Sequence, residues 1–206
     1  MHPLLMHFPL PYVEASTLRP LLSDYKTPRD WFFRMVKKGE LIRLRNGFFV
    51  IAEKIANDRV PYEQIGNLLC GPSYISFEWA LSHYGMIPEG VYVVTSATTT
   101  QPREYRTPLG TFTYAHLSHH RYAIGITQAK NSLGNYLIAT PEKALADVIH
   151  MKSKHLNEKD LLVDLIEARR IDEDVLKGLD KKHLLEISES YRSKTVRTLV
   201  NAIGLL

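Results

Sequence analysis

Between residues 17 and 38 apolar side chains recur at helical spacing, and between 41 and 51 they alternate or run together. Leu18, Leu21, Leu22 and Tyr25 share one face of a short predicted helix with Thr17 as its cap, and Pro20 is tolerated because it falls in the first turn. A second helix starts at Thr27, with Pro28 at its first position and Asp30 beside its free N–H groups, and stops at Gly39. Phe32, Met35 and Val36 form its apolar stripe; Arg29, Arg34, Lys37 and Lys38 fall off that stripe, towards solvent. Leu41 to Arg45 and Phe48 to Ile51 then read as two strands around Asn46-Gly47, the favoured dipeptide of a type I′ turn. Strict alternation sets Ile42 and Leu44 on one face and Arg43 and Arg45 on the other.

Helix, tight turn, helix and basic hairpin is the layout of a winged helix-turn-helix, with the second helix as the groove reader. Pro3, Pro9 and Pro11 leave the leading helix of a full three-helix version missing or rudimentary. Charge changes the picture in the same direction. Residues 1–60 carry ten Lys/Arg against six Asp/Glu, and residues 61–206 carry sixteen of each, so the whole net charge of +4 is N-terminal. Basic charge gathered on one small unit suits phosphate neutralisation, although a charged stretch also serves as a plain solvated face. The DNA-contacting candidates are Arg29, Arg34, Lys37, Lys38, Arg43, Arg45 and Asn46.

Beyond a connection at 57–60, Pro61 to Leu69 and Phe77 to Tyr84 read as helices, with Ser76 capping the second and Gly85 ending it. Strands are predicted at 91–95, 111–117, 122–126 and 135–139, and Thr140-Pro141-Glu142 restarts a helix that buries Ala144, Leu145, Val148 and Ile149. From residue 151 the pattern is helical, with eleven basic and ten acidic residues on its outer faces. The expected fold class is α+β: a winged helix-turn-helix over 1–57, then 58–206 as a mixed α/β core (58–150) with a helical tail (151–206).

The sequence restricts chemistry as well. The longest apolar runs are too short to span a bilayer and the first residues lack a secretory pattern, so a cytoplasmic protein is expected. Cys70 has no partner for a disulfide and reads as a small buried apolar residue. His116, His119 and His120 invite a zinc reading, which a polar loop beside a strand explains as well. Glu78, Glu142, Lys143 and Asp147 can be assembled into a metal-dependent nuclease site, but capping and surface roles account for them too. With no phosphate-cradling glycine loop, serine elbow or paired Cys/His nucleophile, no catalytic residue, metal or cofactor is expected.

Order and spacing of several runs carry a resemblance. Gly71-Pro72-Ser73-Tyr74-Ile75-Ser76 with Ala80-Leu81, Tyr84-Gly85 and Ile87, then Val91 to Thr95, resembles the AbiEi family of abortive-infection antitoxins. Tyr136 to Asp147, with its Pro141-Glu142-Lys143-Ala144-Leu145 core, is similar to that family's strand-to-helix element, and Val36 to Phe49 to its helix end and wing. The resemblance spans about residues 17–150. It implies a type IV toxin-antitoxin system: a nucleotidyltransferase-type toxin encoded beside this protein, neutralisation by the C-terminal region, and repression of the shared promoter through repeated operator sequences. A stand-alone transcriptional regulator with a ligand-sensing C-terminal domain is the alternative, and a metal-dependent nuclease stands behind it.

Overall fold

A computed structural model describes residues 1–56, 60–152 and 156–206 of the chain. In order the elements are α1 (Pro3–Met6), β1 (Tyr12–Glu14), α2 (Ala15–Leu18) running into a 3-10 turn (Arg19–Leu22), α3 (Pro28–Lys37), β2 (Leu41–Arg45), β3 (Phe48–Ile51) and α4 (Ala52–Ala56). They continue as α5 (Tyr62–Leu69), β4 (Ser73–Ile75), α6 (Phe77–His83), β5 (Val93–Thr98), β6 (Arg103–Thr107), β7 (Gly110–His116), α7 (His119–Tyr122), β8 (Ile126–Asn131) and β9 (Gly134–Ala139). Helices α8 (Pro141–Lys152), α9 (Glu158–Val163), α10 (Glu173–Lys177), α11 (Lys181–Tyr191) and α12 (Lys194–Gly204) close the chain, with one π turn (Asp164–Ala168) after α9. The molecule is a mixed α/β protein, and among the described residues no helix is long and apolar enough to cross a membrane. The predicted boundary between units, at residues 57 and 58, lies outside the described residues.

The apolar run Phe48–Ile51 is buried at every position, as expected of a strand covered on both faces. Phe49 and Ile51 join Leu5, Leu18, Leu22, Trp31, Met35 and Leu41 in an N-terminal core. Phe48 and Val50, with Leu44, instead join the large core built around Ile65, Tyr74, Phe112 and Leu145. The hairpin is therefore shared between the two cores, and its exposed side chains are those of Arg43 and Asn46 near the turn.

Several N-terminal expectations need correction. Residues 12–14, part of the leading segment interrupted by Pro3, Pro9 and Pro11 and given no predicted element, form β1, which pairs with β3 to give the antiparallel order β1-β3-β2. Three residues are too few to show a period. The short helix starts at Ala15 rather than after Thr17, and beyond Leu18 the chain tightens into a 3-10 turn, leaving Leu21 exposed. Pro20, which has no N–H, cannot extend an α-helical ladder there. At the hairpin only Gly47 takes a positive φ, of 77°, so the turn is not type I′, which requires both central residues there.

The second sheet has the order β6-β7-β5-β4-β9-β8, with β5/β7 and β4/β9 parallel and the other pairs antiparallel. Its inner strand β4 and its edge strand β6 were not predicted. The first has only three residues, and the second, Arg-Glu-Tyr-Arg-Thr, has no apolar face to announce it. The strand expected at 122–126 is displaced: α7 ends at Tyr122, Gly125 turns the chain at φ 85°, and β8 begins at Ile126.

Helix α5 lies close against this sheet at Gly66. A Cβ there would stand 2.8 Å from the Ile75 Cδ1 and 3.3 Å from the Val94 Cγ1, both in the buried core, and the Gly66 carbonyl accepts a 2.6 Å bond from the Tyr114 hydroxyl. Gly66→Ala is expected to destabilise the fold by about 1–3 kcal/mol through overpacking, against the small gain alanine gives in an open helix. A urea midpoint equal to or above that of the unsubstituted protein would show that α5 can lift without loss.

Candidate nucleic-acid interface

Helix α3 owes its orientation to its buried face. Trp31, Phe32 and Met35 pack inward, with Phe32 stacked on Phe49 of β3 at 5.1 Å between ring centroids. Trp31 takes the inward place expected for Val36, which is only half-buried. The indole N–H of Trp31 reaches His2 Nε2 at 3.5 Å and the His2 backbone N–H bonds the Glu40 carboxylate, so the leader is fastened beneath the helix. Thr27 contributes no side-chain cap; its carbonyl accepts from the Asp30 N–H instead. The C-terminus is closed as expected, Gly39 at φ 72° donating to the Val36 carbonyl and Glu40 to that of Met35, each at 3.0 Å.

A cleft of about 760 Å³ separates the first turns of α3 from the hairpin turn. Phe32, Phe33, Val36 and Phe49 supply apolar wall, and Arg19, Lys26, Arg29 and Arg43 supply positive charge, with no acidic residue among the described residues of the lining. Among the described residues none of these four cations takes part in an ion pair. Arg43 donates to the Asn46 Oδ1 at 3.3 Å, which holds both side chains at the open end of the hairpin. The amino terminus of α3, which carries partial positive charge, opens on the same side. Such a surface neutralises phosphate oxygens and offers forked donors to them.

The predicted contact residues therefore divide. Arg29, Arg43 and Asn46 meet at the cleft; Arg34, Lys37 and Lys38 are exposed on α3 outside it, with the Arg34 guanidinium 5.9 Å from the centre of the Tyr25 ring. Arg45 is not on the face of Arg43. The pairing shifts between Arg43 and Arg45, so Leu44 is an extra residue in the strand and the alternation breaks. Arg45 swings to the opposite side, pairs with Glu14 at 3.4 Å, donates to the Leu68 carbonyl at 3.4 Å and lies over the Phe48 ring. It ties hairpin to α5. Sequence reasoning passed over Arg19, Lys26 and Phe33. For Phe33 the signal was present: it stands one turn from both Arg29 and Lys37 on the exposed side of α3.

Of the residues weighed for metal or nuclease chemistry, His116, His120, Glu142, Lys143 and Asp147 have other partners. His116 Nδ1 lies 2.9 Å from the Thr100 carbonyl and His120 Nε2 3.3 Å from the Ser118 hydroxyl; among the described residues no group of three or more His, Cys, Asp and Glu is placed to hold a metal ion. Glu142 accepts from the Asp180 N–H at 3.0 Å and faces His183 at 3.8 Å. Lys143 and Asp147 are fully buried and 3.4 Å apart. Asp147 accepts from the hydroxyls of Tyr74 at 3.0 Å, Ser76 at 2.5 Å and Tyr191, while Lys143 donates to Tyr191 Oη at 2.7 Å and to the Arg121 carbonyl. Burial lowers the Lys143 pKa, and Asp147 offsets part of that. In this arrangement neither side chain reaches a DNA strand. The Ser76 hydroxyl, expected to cap α6, is used here instead.

No protein-family model matches the chain, and no curated protein matches it.

Proposed function

We propose that the protein is a DNA-binding antitoxin: a reduced winged helix-turn-helix, with α3 as reader and β2–β3 as wing, followed by a C-terminal region that neutralises a nucleotidyltransferase-type toxin encoded beside it. The observation that carries the DNA half is the cleft between α3 and the hairpin turn, where Arg19, Lys26, Arg29 and Arg43 converge with no acidic partner among the described residues. Exposed cations gathered on one surface repel one another, and a polyanion relieves that repulsion while releasing its counterions. The buried second face of the hairpin fixes the wing against the larger core, so helix and wing are held in one relative geometry.

The antitoxin half is supported by the resemblance of residues 17–150 to the AbiEi family. Its Pro141–Asp147 run holds Lys143 and Asp147, the charges on which the C-terminal helices are fastened.

The test separates the two activities by point substitution rather than by cutting near residue 58, because Leu44, Phe48 and Val50 belong to the large core and a truncation would uncover it. The Arg29→Ala/Arg43→Ala protein is expected to bind DNA from upstream of its own gene at least tenfold more weakly near physiological salt. The slope of log affinity against log salt should also fall by about 2, one for each phosphate no longer neutralised. The same variant should still rescue growth when co-expressed with the neighbouring gene product. An unchanged salt slope would remove the cleft as the contact surface, and failure of the unsubstituted chain to rescue against a demonstrably toxic neighbour would remove the antitoxin reading.

A further inference from the structure

Phe33 is 70% exposed on the second turn of α3, beside the well-buried Phe32. Arg29 and Lys37 stand one helical turn to either side of it, and Arg43 and Asn46 face it across the cleft. A phenyl ring at this place forgoes the burial that stabilises its neighbour, and it gains nothing from phosphate, which rewards donors and charge. Its setting nevertheless draws a polyanion onto it.

On duplex DNA the apolar group offered at a base edge is the C5-methyl of thymine, which projects into the major groove. An α-helix with side chains is about 10–12 Å across and fits the roughly 12 Å major groove but not the minor groove of about 6 Å. A wedge inserted between base steps works from the minor-groove side, which α3 cannot enter. The flanking Arg29 and Lys37 are long enough to reach the phosphates on either wall while the shorter ring meets the groove floor.

We propose that Phe33 reads thymine through its C5-methyl group, making it a specificity-determining residue of the interface. The proposal rests on the DNA-binding reading above and names the base feature that the interface selects.

The experiment uses the full chain and two forms of one duplex, the DNA upstream of its own gene, prepared either with thymine or with uracil at every thymine position. The unsubstituted protein is expected to bind the thymine form about three- to fivefold more tightly for each methyl group it covers, the gain of burying one methyl. Phe33→Ala should bind both forms equally, at the level the unsubstituted protein shows for the uracil form, and Phe33→Leu should keep part of the preference. Because the ring is exposed, the thermal midpoint of both variants should be unchanged, which separates recognition from folding.

Equal binding of the two duplexes by the unsubstituted protein overturns the proposal. So does a thymine preference that survives in Phe33→Ala, since it then reflects duplex shape, or a weakening that is the same on both duplexes, since the ring then acts elsewhere. Binding to neither duplex by the unsubstituted protein overturns the DNA reading itself, an outcome distinct from these because no preference is then measurable.

Discussion

Asp147→Ala is expected to destabilise the protein by about 3–5 kcal/mol, a large fraction of the roughly 5–15 kcal/mol that holds an ordinary domain folded. The carboxylate is fully buried, 3.4 Å from the equally buried Lys143 ammonium, and it accepts hydroxyl groups from Tyr74, Ser76 and Tyr191. Its removal leaves the Lys143 cation without its counter-charge and three hydroxyl groups without their acceptor in a fully buried site. The cluster joins the strand β4, the helix α8 and the end of α11, so its disruption should detach the helical tail from the sheet rather than soften one contact. A double-mutant cycle separates charge from hydrogen bonding. Asp147→Asn keeps an acceptor but strands the charge, and adding Lys143→Met should recover a substantial part of the stability. If Asp147→Asn alone were as stable as the unsubstituted protein in urea, the ion pair would have no part in holding the tail.

This cluster shows where sequence reading stops. The Thr140-Pro141-Glu142 start of α8 and its stripe of Ala144, Leu145, Val148 and Ile149 were legible because capping and helical period are local properties. That Lys143 and Asp147 point into the core was not, because burial of a charge depends on partners 22 to 73 residues distant, Arg121, Tyr191 and Tyr74 among them. The same division runs through the N-terminal unit. Helix α3 and its Gly39 stop follow from residues within a few positions of one another. The third strand β1 exists only because β3 offers it an edge, and the displacement of Arg45 follows from an extra residue in the pairing, which composition does not encode.

The candidate site was legible as a set of residue types and only partly as a place. Counting charges located it in residues 1–60, and helical spacing correctly put Arg29, Arg34, Lys37 and Lys38 in solvent. Which of them face the hairpin depends on the angle at which Trp31 and Phe32 seat α3 against β3. That angle is set by ring packing across the core, a tertiary effect. Arg19 and Lys26 are brought to the same cleft only by the 3-10 turn and the loop that follows it.

The protein is expected to unfold steeply at alkaline pH, within about two to three units above pH 10. Tyr74, Tyr114 and Tyr191 are buried as neutral phenols. Burial is the largest cause that raises each above its ordinary value of 10.0, with Asp147 adding to the rise at Tyr74 and Tyr191 and Cys70 at Tyr114. A raised folded-state pKa contributes stability that is complete below the unfolded value and is lost as pH climbs above it. Each such phenol removes about 1.4 kcal/mol per pH unit once the unfolded chain ionises, so the three together remove about 4. Lys143 acts in the opposite sense. Its pKa is lowered in the fold, so its contribution improves as pH rises towards the unfolded value of 10.5 and is constant beyond it. The decline should therefore be shallow just above pH 10 and steepen once Lys143 has given its full contribution. Phenolate absorbance followed together with circular dichroism checks this. The buried phenols should ionise only as helicity is lost. Tyr114→Phe should reduce the steep limb by about a third, although it also removes the bond to the Gly66 carbonyl and lowers the starting stability. Ionisation of Tyr74 and Tyr191 near pH 10 with helicity intact would mean that the phenols around Asp147 are open to solvent and that the tail is not fastened there.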